Sequence, residues 1–398
     1  MKAPPLACRI AGLRPTAINA VLAEARALQQ AGRSIVSLAR GEPDLPTPPH
    51  ILDAGVAALR AGRTSYPQNQ GEPALREAVA AKLRRQGLDY SPSDEILITT
   101  GATLGIAAAL AAALDPGDEI LVPDPIYDAY QSPIALVGGA TLGVRAEIQD
   151  GRFVLSADRL AQACTPRTRA MLINTPWNPT GTVLRHDELQ EIAALAEARN
   201  LVVISDEIYE SIIYDGRRHV SPASLSVDAR QRTVLINSFS KTYAMTGWRL
   251  GYCAGPARLI AAMYLVLQQS SRGPATFVQD AGVAALNGPQ ECVAAMQVEY
   301  GKRREQVSAA LSAVDGVRLV SPEGGFFTML DVRELRIASD EIRRRLLHEQ
   351  GVVVVHGSAY GPAGEGTLRV SFASGGKNFS EGLSRLRHGL VEIASSGR

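Results

Sequence analysis

Short apolar runs alternate with helix-like stretches rich in alanine and leucine from about residue 50 to about residue 285. The apolar runs are residues 96–98, 120–122, 171–173, 201–204 and 234–236. Residues 189–199 give the clearest pattern of a crossover helix between two of them. Apolar runs this short, separated by helical patterns, are typical of parallel strands that are buried on both faces. The pattern therefore predicts a doubly wound, mostly parallel α/β sheet with right-handed crossover connections.

The pattern differs in the two terminal regions. Residues 16–30 have helical periodicity, with Thr16 able to cap the start and Gly32 able to close the end, and residues 35–38 predict a short strand. Beyond about residue 286, charged amphipathic helices alternate with short β runs, which is typical of a smaller α+β domain. These predicted helices are residues 290–312, 338–350 and 378–394, and the β runs are 317–320, 326–330, 352–355 and 368–372.

These differences suggest two domains. A proline-rich segment follows residue 44, and the second change of character falls at about residue 286. We expect a large domain over residues 45–285. We expect a small domain made of residues 1–44, which form an N-terminal arm and helix, together with residues 286–398.

Every predicted strand of the large domain ends in polar or turn residues. In open parallel sheets the carboxyl ends of the strands line the ligand crevice. One such ending means little, because turns are polar, but five chemically distinct endings predict a binding site. The endings are residues 99–101, 123–125, 174–176, 205–207 and 237–238.

Composition and charge argue against several classes of protein. The 398 residues include 41 Lys and Arg and 40 Asp and Glu, and the basic residues form only short clusters, so we expect no nucleic-acid partner. The longest apolar run, residues 106–114, is too short to span a bilayer. Prolines and Arg9 interrupt the N-terminal residues, which therefore lack the apolar core of a signal peptide. The four cysteines lack metal-binding spacing, which indicates reduced thiols and no bound metal. We expect a cytoplasmic protein without a membrane partner.

Residues 235–249 place a lysine among hydroxyl side chains. An apolar run ends in Ser238-Phe239-Ser240-Lys241, and Arg249 follows eight positions after the lysine. This arrangement puts an amine among hydroxyls at the carboxyl end of a strand, with a fixed positive charge nearby. It suits a lysine that forms an imine beside a bound phosphate.

Asp206 ends a four-residue apolar strand and should be at least partly buried. A buried carboxylate needs a cation or a strong hydrogen-bond donor as its partner. A protonated pyridine nitrogen is one such partner, and capping of a following helix is the alternative. If a helix has begun, Tyr209 lies on the same side as Asp206.

Gly101-Ala102-Thr103 lies between a predicted strand and a predicted helix. Small residues at a helix N-terminus expose backbone N–H groups, which bind phosphate well. A tight connection between a strand and a helix explains the same residues equally well.

Several longer motifs carry a resemblance to a known family. Asn174-Thr175-Pro176-Trp177-Asn178-Pro179-Thr180-Gly181 is similar to the N-x-P-x-N-P-T-G segment of the class I/II pyridoxal-phosphate aminotransferases, which have fold type I. Other segments resemble further motifs of the same family in the family's order and cover almost the whole chain. They are Gly41-Glu42-Pro43-Asp44, Tyr66 with Gly71 and Leu75-Arg76, Ser205-Asp206-Glu207-Ile208-Tyr209, Ser238-Phe239-Ser240-Lys241 with Gly247-Trp248-Arg249, and Leu368-Arg369-Val370-Ser371.

The resemblance implies a seven-stranded large domain and a set of roles around the cofactor ring. Lys241 is implied to form the Schiff base with pyridoxal phosphate and to carry the proton during turnover. Asp206 is implied to keep the pyridine nitrogen protonated. Tyr209 and Asn178 are implied to bind the ring hydroxyl oxygen, and Tyr127 to stack on the ring where many members carry tryptophan.

The family also implies how the phosphate and the substrate are held. The implied phosphate ligands are Gly101, Ala102, Thr103, Ser238, Arg249 and, from a neighbouring subunit, Tyr66. Arg369 is implied to bind the substrate α-carboxylate as a bidentate fork, with the backbone of Gly41 and the side chain of Asn178 beside it. These roles imply a homodimer with shared active sites, acting on L-amino acids and 2-oxo acids by a ping-pong mechanism.

Two rival functions remain open at this stage. The same scaffold supports β-elimination or C–S bond cleavage. A pyridoxal-phosphate-sensing domain of a transcriptional regulator is disfavoured, because the aminotransferase pattern begins by about residue 16 and leaves no room for a DNA-binding module. Arg40 could select an acidic side chain or be solvated, and Trp177 could narrow the pocket. Arg272 departs from the family pattern, so no role is assigned to it.

Overall fold

The structure is a computed structural model that describes residues 7–11, 13 and 15–396. The first six residues of the predicted N-terminal arm lie outside this part. The α-helices are α1 (Cys8–Ala11), α2 (Ala17–Gln30), α3 (Pro49–Arg60), α4 (Pro73–Arg85), α5 (Ala102–Ala113), α6 (Gln131–Leu136), α7 (Ala157–Ala163), α8 (His186–Ala198), α9 (Val227–Arg232), α10 (Phe239–Thr242), α11 (Ala257–Ser270), α12 (Thr276–Asn287), α13 (Glu291–Leu311), α14 (Ser339–Gln350) and α15 (Gly376–Ser396).

Short 3₁₀ helices and β-strands complete the secondary structure. The 3₁₀ helices are Asp128–Tyr130, Pro222–Ser224, Arg333–Leu335, Gly357–Tyr360 and Pro362–Gly364. The strands are β1 (Val36–Ser37), β2 (Ile96–Thr99), β3 (Glu119–Asp124), β4 (Ala140–Arg145), β5 (Glu147–Gln149), β6 (Arg152–Val154), β7 (Thr168–Asn174), β8 (Val202–Asp206), β9 (Thr233–Ser238), β10 (Gly251–Ala254), β11 (Arg318–Val320), β12 (Phe327–Asp331), β13 (Val352–Val353), β14 (Val355–His356) and β15 (Thr367–Ser371).

The central sheet has seven strands among the described residues, in the order β2-β10-β9-β8-β7-β3-β4. Strands β9, β8, β7, β3 and β4 pair in parallel, and β10 is antiparallel to both of its neighbours. The predicted mostly parallel α/β sheet is therefore confirmed. Two of its strands, β4 and β10, were missing from the five predicted runs, because neither contains an uninterrupted run of large apolar residues.

Helices cover both faces of this sheet. Successive residues of a strand point to opposite faces. Leu172 packs in a cluster with residues of α5 and α11, whereas its neighbours Met171 and Ile173 pack with residues of α8. All three residues are 1% exposed or less. Burial on both faces explains why these strands read as continuous apolar runs.

A second sheet has the antiparallel order β11-β12-β15-β14, and β1 pairs in parallel with β13 through Val36 and Val352. The predicted run at residues 352–355 is thus divided between two sheets at Val354. The pairing of β1 with β13 supports our proposal that residues 1–44 and 286–398 form one domain.

The predicted N-terminal helix is confirmed as α2. Its cap residue Thr16 accepts a hydrogen bond from the Asn19 backbone N–H at 3.4 Å, and Gly32 follows the helix with a φ of +85°. Within the described part of the chain, each helix is too short or too polar to cross a membrane.

Candidate active site

A cavity of about 350 Å³ lies where the central strands end. β7, β8 and β9 contribute Asn174, Asp206 and Ser238, their last residues. The sequence-predicted site residues that line it are Gly41, Ala102, Thr103, Tyr127, Asn178, Asp206, Tyr209, Ser238, Lys241, Arg249 and Arg369. Gly101 and Tyr66 are the two predicted residues that do not line it. The structure thus brings together groups that are up to 328 positions apart, from Gly41 to Arg369.

Lys241 lies on α10, a single turn that starts directly after β9. Ser238 caps this turn by accepting a hydrogen bond from the Ser240 backbone N–H at 3.0 Å. The Lys241 Nζ donates to the Gly41 carbonyl oxygen at 2.6 Å. Burial lowers the pKa of Lys241 to about 8, because an enclosed site disfavours the charged ammonium. A minor fraction of the amine is therefore neutral near physiological pH, far more than at its ordinary pKa of 10.5.

Asp206 is 2% exposed at the end of β8. The Tyr130 Oη donates a hydrogen bond to its Oδ2 at 2.5 Å, and the Ile208 backbone N–H donates to its Oδ1 at 3.2 Å. Burial raises the pKa of Asp206 to about 6, although these two hydrogen bonds favour the carboxylate. At pH 7 the side chain is thus mainly a buried anion that needs a cationic partner.

The alternative role of Asp206 as a helix cap is wrong. Residues 208–211 form turns, and no helix begins directly after β8. The argument that put Tyr209 on the same side as Asp206 through a helix is wrong for the same reason. Tyr209 lines the cavity nevertheless, and it packs edge-on against Phe326 and Phe327 with ring centroids 5.4 and 5.9 Å away.

Positive groups converge at one end of the cavity. Ala102 and Thr103 are the first residues of the twelve-residue helix α5, so their backbone N–H groups have no partner within the helix. Ser238 and Arg249 line the same cavity, and Ser238 pairs with Gly251, where a Cβ would lie 3.0 Å from the Ala102 backbone nitrogen. A Cβ on Gly101 would lie 2.6 Å from the Arg249 Nη2, so the glycine makes room for the guanidinium rather than lining the cavity. Helix N–H groups, a hydroxyl and a guanidinium form a suitable donor set for a phosphate.

A second arginine lies at another part of the cavity. Arg369, on β15, is 1% exposed, and its guanidinium lies 4.3 Å from the Phe327 ring centroid and 5.0 Å from that of Tyr360. Its Nη1 donates to the Asn178 Oδ1 at 3.1 Å, and its Nη2 donates to the Ala39 carbonyl oxygen at 2.6 Å. The planar fork is therefore held in one orientation, as carboxylate recognition requires.

Sequence reasoning missed Tyr130 and assigned no role to Asn174. Asn174 Nδ2 donates to the Asp206 carbonyl oxygen at 2.9 Å, and its Oδ1 accepts from the Asn178 backbone N–H at 2.7 Å. Asn174 could have been found, because it begins the quoted 174–181 motif. Tyr130 is three positions after Tyr127, and only the adjacency of distant strands reveals its contact with Asp206.

Three further expectations concern residues outside the cavity. Trp177 does not narrow it, because its side chain is buried in the core and its Nε1 donates to the Pro125 carbonyl oxygen at 2.9 Å. Arg40 is exposed and does not line the cavity. Tyr66 is 84% exposed, and the guanidinium of Arg272 lies 5.4 Å from its ring centroid.

The sheet order, the half-buried lysine after β9 and the two arginines define an enzyme of the aminotransferase class. The family model described as "Aminotransferase class I and II" matches residues 33–383, and the chain belongs to this family. Membership implies pyridoxal phosphate as the cofactor.

Named relatives agree with this assignment. The aspartate aminotransferase of Geobacillus stearothermophilus is 38% identical over 375 residues, which cover 93% of this chain and 94% of that protein. The aromatic-amino-acid aminotransferase 2 of Thermococcus litoralis is 39% identical, with 92% of this chain and 94% of that protein covered. The solved structure of the Thermus thermophilus aspartate aminotransferase with maleate matches with a TM-score of 0.91 at 36% identity, covering 97% of this chain and 100% of that chain. The aminotransferase prediction is confirmed.

Proposed function

We propose that this aminotransferase holds pyridoxal phosphate in the cavity and moves an amino group between an L-amino acid and a 2-oxo acid in two half-reactions. The observation that carries the proposal is the position of Lys241 and Asp206 in one cavity with two arginines, Arg249 and Arg369. When bound, the cofactor supplies an electron sink for the bond that breaks at the substrate α-carbon. Each residue at the cavity then has a role that its chemistry supports.

Asp206 binds the protonated ring nitrogen of the cofactor. Its carboxylate is mainly ionised at pH 7 and is buried, so a cation beside it reduces the free-energy cost of burying the negative charge. The Tyr130 hydroxyl donates to its Oδ2 and the Ile208 N–H donates to its Oδ1, so the carboxylate that would accept from the ring nitrogen is held in one orientation. Tyr209 and Asn178 bind the ring oxygen, and Tyr127 stacks on the ring face.

Arg249, Ser238 and the N–H groups of Ala102 and Thr103 hold the phosphate, while Gly101 allows the close approach of Arg249. This donor set combines a full positive charge with the partial positive charge of the α5 N-terminus. It therefore orients the cofactor by its most charged group.

Lys241 carries the proton of the reaction. Because burial brings the pKa of Lys241 to about 8, about a tenth of its amine is neutral at pH 7 and can take a proton from the substrate α-carbon. With the cofactor bound, the protonated amine would be the acid that returns this proton. A lysine with its ordinary pKa would remain protonated and could not act as a base.

Arg369 binds the substrate α-carboxylate, with Asn178 and the Gly41 backbone beside it. The stacked guanidinium presents parallel N–H groups, and these match the two oxygens of a carboxylate. Both the amino acid and the 2-oxo acid carry this group, so one arginine serves both half-reactions.

The active form is proposed to be a homodimer in which Tyr66 reaches the phosphate of the partner site. Helix α3 supports this proposal, because Leu52, Val56 and Leu59 leave 36–48% of their surface exposed along its side. Their spacing of three and four positions puts them on one face of the helix. A second copy of the chain would cover this apolar face. We also propose a cytoplasmic location, which the free thiols of Cys164, Cys253 and Cys292 support.

A panel of amino donors tests the function. Aspartate and the aromatic amino acids are the first donors to assay against 2-oxoglutarate, oxaloacetate and pyruvate, because similar proteins are named for aspartate and for aromatic substrates. Each half-reaction is followed by the absorption of the cofactor. Lys241→Ala is expected to bind the cofactor but not to complete turnover, and near wild-type transamination by this variant would refute the proposal.

A further inference from the structure

A second cluster of charged side chains starts one residue after Asp206 but lies outside the active-site cavity. Glu207 and Glu210 are almost fully buried, and the side chains of His219 and Lys82 are 9% and 15% exposed. Asp206 lines the cavity, whereas Glu207 points to a separate set of partners. The cluster therefore adjoins the active site through the backbone at the end of β8.

Glu207 connects the end of β8 to the loop that carries His219. Its Oε1 accepts hydrogen bonds from Ser205 Oγ at 2.9 Å and from Ser221 Oγ at 2.7 Å. Its Oε2 lies 2.6 Å from His219 Nε2, and its backbone N–H donates to the Ile236 carbonyl oxygen on β9 at 2.9 Å. Both oxygens of this buried carboxylate thus have partners, and the ring of His219 is the partner that can carry a positive charge.

Lys82 serves the other carboxylate of the cluster. Its Nζ pairs with Glu210 Oε1 and donates to Tyr252 Oη at 2.8 Å, and Gln86 donates to Glu210 Oε2 at 3.1 Å. Ligand atoms of Glu207, Glu210 and His219 lie within 4.8 Å of one another, a spacing that could also hold a metal ion. The ammonium and the hydroxyl donors already occupy these oxygens, so we interpret the cluster as a hydrogen-bonded charge network.

The charges of this network balance only when His219 is protonated. Two carboxylates then face two cations, and a neutral His219 leaves one buried negative charge without a counter-charge. Burial opposes the charged imidazole, and its Nδ1 lacks a hydrogen-bond partner among the residues that the structure describes. The carboxylates of Glu207 and Glu210 outweigh burial and the repulsion of Lys82, so the pKa of His219 lies above its ordinary value.

We propose that His219 is a positioning residue for transamination, whose imidazolium holds Glu207, and through it the end of β8, in the place that Asp206 requires. The proposal rests on the role of Asp206 in the proposed function. A buried carboxylate that loses its counter-charge must take up a proton or admit water. Either change alters the hydrogen bonds of Glu207, which is covalently joined to Asp206.

His219→Gln separates charge from hydrogen bonding, because a glutamine amide can donate to Glu207 but carries no charge. His388→Gln is the matched control, since His388 is 65% exposed and pairs with Glu392 on the surface of α15. At about pH 6 the holoenzyme of His219→Gln is expected to have a kcat about tenfold below the wild type. KM should change little, because Arg369 is untouched. The difference should close as the pH rises through the His219 pKa, where the wild-type imidazole is also neutral.

A second measurement does not depend on turnover. The His219 ring resonance, identified by its loss in the variant, should titrate by NMR above the ordinary histidine pKa of about 6.5. Its midpoint should fall in Glu207→Gln, which also serves as the test if His219→Gln does not fold. A midpoint at or below the ordinary value would refute the claim that His219 is protonated in this network. A pH profile of His219→Gln that coincides with the wild type would overturn the positioning role. Failure of Lys241→Ala to stop turnover would instead count against the proposed function and leave the titration intact.

Discussion

Replacement of Arg369 by lysine tests the end of the cavity that we assign to the substrate carboxylate. The guanidinium uses two nitrogens at once, one toward Asn178 and one toward the Ala39 carbonyl oxygen, while it stacks against Phe327 and Tyr360. Lysine keeps the positive charge but offers a single ammonium without a planar face. It cannot bind both oxygens of a carboxylate and maintain both protein contacts.

The expected loss follows from the contacts. One hydrogen bond to a charged group contributes about 1.5–3 kcal/mol, and an acceptor left buried without a donor costs about 1–3 kcal/mol more. Because the side chain is 1% exposed, water does not readily replace the missing donor. The two terms predict that kcat/KM for the amino acid falls by roughly 10² to 10⁴-fold.

The assay compares two substrates in single-turnover half-reactions followed by cofactor absorption. The first is an amino acid that the wild type accepts, and the second is the amine that lacks its α-carboxylate. Arg369→Lys should lose rate with the amino acid, and its rate with the amine should stay close to that of the wild type. An equal loss with both substrates, or an unchanged kcat/KM for the amino acid, would refute the assignment of this arginine.

Four further predictions concern the cofactor, the stability of the fold and the assembly. Uptake of pyridoxal phosphate by the cofactor-free protein should rise with pH around a midpoint of about 8, because the neutral amine of Lys241 reacts; a midpoint near the ordinary 10.5 would contradict the burial argument. Between about pH 8 and pH 10.5 the unfolded chain binds more protons at Lys241 than the folded chain does. The free energy of unfolding of the cofactor-free protein should therefore increase as the pH rises through this range, and Lys241→Met should abolish the increase in thermal unfolding. Tyr130→Phe removes the hydrogen bond to Asp206 and should weaken cofactor binding by about 1.5–3 kcal/mol in equilibrium titration. An unchanged affinity would count against the role of Tyr130 at Asp206. Leu52→Glu places a charge on the apolar face of α3 and should yield monomers in light scattering. A dimer of this variant would show that the face is not the interface.

The central strands were predictable where burial on both faces leaves a local mark. β7 and β8 each contain a continuous apolar run for this reason. β10 is buried as well, but Gly251 stands where a Cβ would meet the Asn237 carbonyl oxygen at 2.9 Å, and its small residues fit between two neighbouring strands. Such a strand is defined by what surrounds it, and a sequence pattern does not contain that information.

The site divides in the same way. Lys241 and Asp206 were predictable because each directly follows a strand and belongs to a short motif. Tyr130 was not, since its contact with Asp206 depends on the order in which β3, β7 and β8 lie side by side. The sequence left open that Trp177 narrows the pocket, but its side chain points into the core, although Asn174 and Asn178 of the same motif line the cavity. Neighbours in the sequence share a location, and their side chains need not share a direction.

The charges of the cavity explain why one site can serve both the cofactor and the substrate. Arg249 and Arg369 outnumber Asp206, so the cavity carries one net positive charge when Lys241 is neutral. A phosphate of about −2 with a pyridinium, and an amino acid with its ammonium and carboxylate, together bring one net negative charge. The same enclosure that lowers the pKa of Lys241 to about 8 raises that of Asp206 to about 6. Both pKa shifts reflect the free-energy cost of burying an isolated charge. This cost is relieved at Asp206 when the pyridinium binds beside it. Burial therefore favours the bound state of this site and also prepares its lysine to act as a base.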